Sequence, residues 1–157
     1  MKLLVLAAAG LAALSLTGCA AASSSAKPTP TETSFRATGT IQVPMDLNAT
    51  LPLQHDAPTI GNPCIPKSGF SDIAEGSQVV VLDENGKKVA LGKLRAPTLA
   101  NGPSGTAFFQ SVCQLDFTVA AVPDGSKIYS VRIGNDNRGE QSYSKSDLTA
   151  GVALSLV

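Results

Sequence analysis

Gln78-Val79-Val80-Val81-Leu82-Asp83-Glu84-Asn85-Gly86-Lys87-Lys88-Val89-Ala90-Leu91 is the stretch that decides the fold class. Two aliphatic, valine-rich runs flank Asp83-Glu84-Asn85-Gly86. Asn-Gly between such runs is a strong hairpin cue, because both residues tolerate the positive φ of a tight turn. A helix would need apolar residues at a 3.6 period, and no window of about 11 residues in the folded part keeps one.

Alternation continues on both sides of this hairpin. Downstream, residues 108–119 set Cys113, Leu115, Phe117 and Val119 on one face against Gln114, Asp116 and Thr118. Residues 127–133 turn Tyr129, Val131 and Ile133 inward. Residues 141–144 read as a short strand and 146–148 as one helical turn, after which Val152, Leu154 and Leu156 alternate. Upstream, residues 35–43 place Ala37, Gly39, Ile41 and Val43 opposite Arg36, Thr38, Thr40 and Gln42. Residues 45–53 continue the pattern as a further strand on Leu47, Leu51 and Leu53. Pro44 and Pro52 confine these segments to edge or bulged positions.

Between the strands, residues 55–70 form a Pro- and Gly-rich loop, 71–76 a turn-like stretch and 95–105 another loop. Residues 123–126 and 135–139 are turns by their Pro, Asp, Asn and Gly content. Short strands with turns roughly every 8 to 12 residues predict an all-β domain, a small antiparallel β-sandwich of about seven strands. It is expected over residues 35–157.

The N-terminal part has a different character. Lys2 is followed by an apolar run from Leu3 to Leu16 broken only by Gly10 and Ser15. That is the basic start and apolar middle of an export signal. A spanning helix needs about 20 apolar residues, more than this run offers. The run ends in Leu16-Thr17-Gly18-Cys19, which reads as a lipobox. Residues 1–18 are thus expected to be removed, and Cys19 to take a diacylglycerol group and further acyl chains such as palmitate. Two or more chains hold a protein stably, at about 0.8 kcal/mol per buried CH₂. Residues 19–34 are small, polar and carry Pro28 and Pro30. Such a segment cannot bury enough apolar surface to offset ordering entropy and reads as a tether.

Loss of Lys2 with the signal leaves 11 basic residues against 12 acidic ones, a net charge of −1. No basic run offers a footprint for nucleic acid or anionic lipid. Of three cysteines, Cys64 and Cys113 remain after lipidation of Cys19. An even pair in an oxidising compartment is expected to form a disulfide. The alternatives are a redox pair or metal thiolates, but neither cysteine belongs to a CxxC motif. No cofactor is implied.

Several pieces together carry a resemblance. They are Gly69-Phe70-Ser71-Asp72-Ile73-Ala74-Glu75-Gly76-Ser77-Gln78-Val79, Asp83-Glu84-Asn85-Gly86-Lys87, Phe117-Thr118-Val119, Val122-Pro123-Asp124-Gly125, Tyr129-Ser130-Val131 and Arg138-Gly139-Glu140. As an ordered set they resemble a family of small uncharacterised actinobacterial lipoproteins, mycobacterial ones among them. Many members carry a histidine before the Arg-Gly-Glu; Asn137 stands there in this chain. The resemblance implies an anchored extracytoplasmic protein and brings no established activity. A looser similarity is to prealbumin-like sandwiches, and it concerns the fold alone.

Candidates for chemistry are few. His55 is the sole histidine and lies in a Pro-rich segment, better suited to an exposed loop than to a base. Asp72 with Glu75, and Asp83 with Glu84, are the possible carboxylate pairs, and both fall on turns. Residues 135–140 have the residue types of a calcium loop without EF-hand spacing, and turn chemistry explains them equally. Arg138 and Glu140 are expected to form an ion pair or hold the loop, and Tyr129 and Tyr143 to sit at the core edge. The expected function is a non-enzymatic binding or adaptor module at the cell envelope, with Phe70, Asp72, Arg138 and Glu140 in a protein-partner surface. A carrier of an apolar ligand or lipid in the sandwich interior is the alternative class, and an envelope hydrolase is disfavoured by the missing base.

Overall fold

The hairpin forms where the sequence puts it. Strands β2 (Gln78–Leu82) and β3 (Lys88–Leu94) pair antiparallel, Val80 opposite Leu91. Its turn is not the two-residue Asn-Gly type. Gly86 N–H donates to the Asp83 carbonyl at 3.0 Å, so Glu84 and Asn85 are the central residues. Only Gly86 takes positive φ, +75°. Asp83 Oδ1 accepts from the N–H groups of Asn85 and Lys87, both at 2.9 Å, and thus competes successfully with the tighter turn.

The computed structural model describes residues 33–54, 59–102 and 111–156. Among them are eight strands, in line with the expected all-β domain. Besides β2 and β3 these are β1 (Ser34–Pro44), β4 (Thr98–Asn101), β5 (Ser111–Pro123), β6 (Tyr129–Ile133), β7 (Gln141–Tyr143) and β8 (Val152–Ser155). Two short helices, α1 (Leu47–Thr50) and α2 (Lys145–Ala150), complete the elements together with single 3₁₀ turns. Cys19, the expected export signal, the expected tether up to residue 32, His55 and Phe108 lie outside the described residues; Ser34, expected in the tether, is the first residue of β1.

The strands form one curled sheet in the order β7-β6-β2-β3-β5-β1-β8. The long strand β5 organises it. One edge of β5 pairs with β1 from Val112 to Pro123. Its other edge takes β3 at Phe117 and Thr118, then β4 from Ser111 to Gln114. Strand β4 was expected to be loop; four residues after Pro97 are too short to show alternation.

Two further expectations need correction. β1 is not an edge strand: it lies between β5 and β8. Pro44 is tolerated as its last residue, where the missing N–H interrupts little of the ladder. The sheet is also not purely antiparallel, because β8 runs parallel to β1, Gly39 opposite Val152. β7 and α2 bring the chain back to the end where β1 begins, so the next strand must run the same way as β1.

The inward faces fill one core. Val43, Val79, Val81, Cys113, Leu115 and Val119 are fully buried, and Phe117 and Tyr129 are nearly so. Each such aliphatic or aromatic side chain stabilises by roughly 1.5–3 kcal/mol when withdrawn from water. Alternation slips near the end of β5, where Ala120 and Ala121 are both exposed. Ala121 adopts φ +54°, making a bulge opposite the Phe35–Ala37 step of β1. The extra residue lets Val119 and Val122 both point inward.

The domain has two ends. The near end is where β1 begins. Asp124 N–H donates to Thr33 O there, and Tyr129 donates to Pro123 O at 2.8 Å while accepting from Ser126 N–H at 3.2 Å. Lys145 also closes on Asp124 and lies over the Phe35 ring. The far end is reached after the 11 residues of β1, roughly 33 Å away at about 3.3 Å per residue. The segment after Pro44 and the ends of β4, β6 and β8 all lie toward it.

Residues 45–53 are not the expected strand. Asp46 Oδ1 accepts from Ala49 N–H at 3.0 Å, capping α1, and Leu51–Leu53 turn as 3₁₀ with Pro52 near their start. An Asp N-cap plus an early proline outweighs the apolar alternation.

Candidate functional site

Residues 67–77 descend from the far end as successive turns. Phe70 N–H donates to Lys67 O at 2.8 Å and Ile73 N–H to Phe70 O at 2.9 Å. Ile73 is fully buried and plugs this loop into the core. Its neighbour Asp72 is thereby aimed at the turn that follows β6.

That turn is built to receive a carboxylate. Gly134 has φ +75°, and a Cβ there would stand 2.5 Å from Asp72 Oδ2. Asn135 donates to the same oxygen through its backbone N–H at 3.1 Å and its side-chain amide at 2.9 Å. Asn135 Oδ1 accepts from Asn137 N–H at 2.9 Å and caps the 3₁₀ turn Asp136–Arg138. The cap sets Arg138 over the loop. Arg138 Nε donates to Asp72 Oδ2 at 2.9 Å and Nη2 to Oδ1 at 2.5 Å. Nη2 also donates to Gly69 O at 2.7 Å, and the guanidinium lies 4.7 Å from the Phe70 ring centre.

Three of the four expected surface residues therefore converge: Phe70, Asp72 and Arg138. Glu140 does not pair with Arg138, contrary to expectation. It faces Arg132 at 3.5 Å, which also holds Asp136 at 3.3 Å. A planar guanidinium matches one carboxylate in a two-pronged fork, and Asp72 already offers that fork.

The electrostatics follow from this geometry. Hydrogen bonds from Arg138, helped by Asn135, hold the Asp72 carboxyl down at about 2. Asp72 in turn raises Arg138. Hydrogen bonding from Lys145 lowers Asp124, and the Ser144 hydroxyl lowers Asp147 in the cap of α2. Burial raises the Tyr143 phenol, whose hydroxyl donates to Gln141 Oε1 at 2.7 Å.

The carboxylate pairs considered for chemistry are separately occupied. Asp72 is taken by Arg138, and Asp83 caps its own turn. Glu84 Oε2 accepts from Lys127 N–H at 3.2 Å across the near end. Among the described residues, no three His, Cys, Asp or Glu side chains converge to hold a metal. His55 lies outside them. Cys64 and Cys113 are joined as a buried disulfide with Cα atoms 5.9 Å apart, which fixes the loop before Lys67 to β5.

Sequence reasoning missed Gly134 and Arg132 here, and placed Asn135 in a turn without its bonds to Asp72. The available signal was Asn135 two residues before Asn137, the spacing of an Asx turn. An open hollow of about 690 Å³ borders α2 along Lys127, Ser144, Lys145 and Thr149. A void of about 30 Å³ lies between Ile41, Val131, Ile133 and Leu154, and an open trough of about 410 Å³ runs along Thr38, Thr40, Asp116 and Thr118. No helix among the described residues is long and apolar enough to cross a membrane.

Comparison of the chain with protein-family models, curated proteins and solved structures finds no match.

Proposed function

We propose that the chain is a lipoprotein held through Cys19 at the outer face of the cytoplasmic membrane, where its β domain acts as a non-enzymatic binding or adaptor module. The observation that carries the binding part is the Asp72–Arg138 lock. A carboxyl held at about 2 stays ionised at neutral pH and is a poor proton donor or acceptor there. What such a lock provides is rigidity, and rigid loops on a β scaffold are the usual substrate of recognition. The partner surface in this reading contains Phe70, Asp72, Arg138 and Glu140, with Asp72 and Arg138 setting the frame. It is turned toward the far end, away from where the chain enters the domain.

The alternative of an apolar-ligand carrier draws less support. A lipid-sized ligand needs a largely enclosed cavity of several hundred Å³; the hollows of about 410 and 690 Å³ are open to solvent, and the one that borders Ile41, Val131 and Ile133 holds about 30 Å³.

The test is cross-linking in intact cells with a membrane-impermeant reagent. Wild type should give a discrete adduct with another envelope protein. Glu140→Ala should weaken that adduct while leaving the melting temperature nearly unchanged, since an exposed ion pair contributes about 0–1 kcal/mol. Absence of any wild-type adduct would contradict the reading.

A further inference from the structure

Three dipeptides of the chain hold the groups that can close a succinimide ring: Asn85-Gly86, Asn101-Gly102 and Asp124-Gly125. In each, the glycine nitrogen can attack the side-chain carbonyl carbon of the residue before it, and the absent Cβ leaves the approach open. The structure treats the three differently. Asp124 is held by Lys145, and its Oδ1 accepts from Gly125 N–H at 3.0 Å. Hydrogen bonding from Lys145 lowers that carboxyl and keeps it ionised. An ionised carboxylate is a poor electrophile, since it must be protonated before it can lose water. Asn101 is the last residue of β4, paired with Ser111 of β5, and Gly102 after it is buried. Reaction there requires the end of a ladder to open and a buried nitrogen to be uncovered.

Asn85 is under neither constraint. It is exposed at the centre of the β2–β3 turn, and its side-chain amide has no partner among the described residues. Glu84, Gly86, Lys87 and Lys88 around it are exposed as well. What restrains it is the turn's backbone. Gly86 N–H donates to Asp83 O at 3.0 Å, and Asp83 Oδ1 accepts from the N–H groups of Asn85 and Lys87, both at 2.9 Å. The Gly86 nitrogen must give up its proton to attack, and with it the bond to Asp83. An exposed turn opens at a small local free energy, far below that of global unfolding. We propose that Asn85 is the deamidation site of this domain and that the turn built by Asp83 sets the rate.

The reaction uses water and no other partner. The Gly86 nitrogen passes its proton to water and bonds to Asn85 Cγ. The bond from Cγ to the amide nitrogen breaks, and that nitrogen takes up a proton and leaves as ammonia. A five-membered succinimide remains. Water then adds to one of its two carbonyl carbons and opens the ring to aspartate or to isoaspartate, with no change of oxidation state. Either product puts a new carboxylate beside Glu84. In isoaspartate the main chain also runs through Cβ and Cγ and so gains a methylene. The Gly86 bond to Asp83 O and the pairing of Leu82 with Lys88 cannot both survive that insertion. The hairpin is therefore marked irreversibly as the protein ages, whatever the domain binds.

The test keeps the full chain in mild detergent at neutral pH for weeks, beside a sample in urea. Peptide mapping by mass spectrometry reads the exchange of NH₂ for OH at each position and separates aspartate from isoaspartate. In the folded chain, residue 85 should convert before residue 101, and Asp124 should give no isoaspartate. Urea should speed conversion at 85 by opening the turn. Asp83→Ala, shown to fold by its melting curve, should speed it roughly fivefold in native buffer, the order expected from releasing a hydrogen bond in an exposed turn. Chains carrying isoaspartate at 85 should melt below fresh ones. If Asp83→Ala fails to fold, the comparison of folded and urea-treated wild type carries the test. Conversion first at 101, isoaspartate at 124, or equal rates at 85 with and without urea would overturn the proposal. So would a folded Asp83→Ala variant that converts at the wild-type rate, or equal melting of fresh and isoaspartate-bearing chains.

Discussion

Arg138 grips Asp72 with two nitrogens across 66 residues of sequence, Nε on Oδ2 at 2.9 Å and Nη2 on Oδ1 at 2.5 Å. Both side chains are about four-fifths buried. The pair joins the loop after the disulfide to the turn after β6, two segments that no strand pairing connects directly. With Gly69 O and the Phe70 ring also engaged, the guanidinium is the point where the far-end loops meet.

The lock gives the domain an acid-sensitive component. The Asp72 carboxyl lies near 3.8 in a free chain and at about 2 when folded, with Arg138 the main cause. A lowered folded value means stability that is present above about pH 4 and is lost as pH falls through about 2. Asp72→Asn should cost about 2 kcal/mol at pH 7 once solvent screening is allowed for. In denaturant titrations the gap between wild type and variant should narrow between pH 4 and 2. A gap of the same size at both ends of that range would contradict the assignment.

The disulfide is a second lock. It closes a loop of 49 residues, which on the chain-entropy model stabilises by roughly 4 kcal/mol. Non-reducing peptide mapping should show Cys64 joined to Cys113. Cys64→Ala with Cys113→Ala should lower stability by several kcal/mol on the same basis. Two thiols that alkylate without reduction would count against it.

Gly39 is a packing requirement. A Cβ there would stand 2.6 Å from Phe117 Cζ and 2.6 Å from Val152 O. Gly39→Ala should therefore destabilise by about 2–3 kcal/mol, as overpacking does. Phe117→Leu in the same chain should recover only part of that loss, because the Val152 carbonyl remains. Strictly additive effects in the double variant would show that the ring is not the obstacle.

The β2–β3 turn separates two substitutions that the sequence alone would treat alike. Gly86→Val forces a β-branched residue to φ +75° and should cost at least about 1 kcal/mol. Asn85→Ala should be mild, because Asn85 has ordinary φ in this turn. A larger loss from Asn85→Ala than from Gly86→Val, read from melting curves, would indicate the two-residue turn instead.

Much of the fold is legible in the sequence, and for a common reason. Period-2 alternation marks β1, β5, β6 and β8, and an even cysteine pair marks the disulfide. What fails to show is whatever is decided by long-range pairing. The parallel placement of β8 depends on where α2 delivers the chain, and β4 exists because β5 offers it an edge. Leu47, Leu51 and Leu53 misled because their spacing imitates a strand, while the capping aspartate Asp46 carries the actual instruction. At the candidate site, Phe70, Asp72 and Arg138 were found as sequence motifs and do meet. Glu140 was tied to Arg138 by proximity in sequence, and Arg132, its partner across the turn, carried no motif.

The central claim is that this domain works from a lipid anchor at Cys19, and metabolic labelling with an alkyne fatty acid tests it most directly. Wild type should incorporate the label and fractionate with membranes. Cys19→Ala should lose the label and either leave the membrane fraction or retain its uncleaved signal. Equal labelling of Cys19→Ala and wild type would contradict the claim.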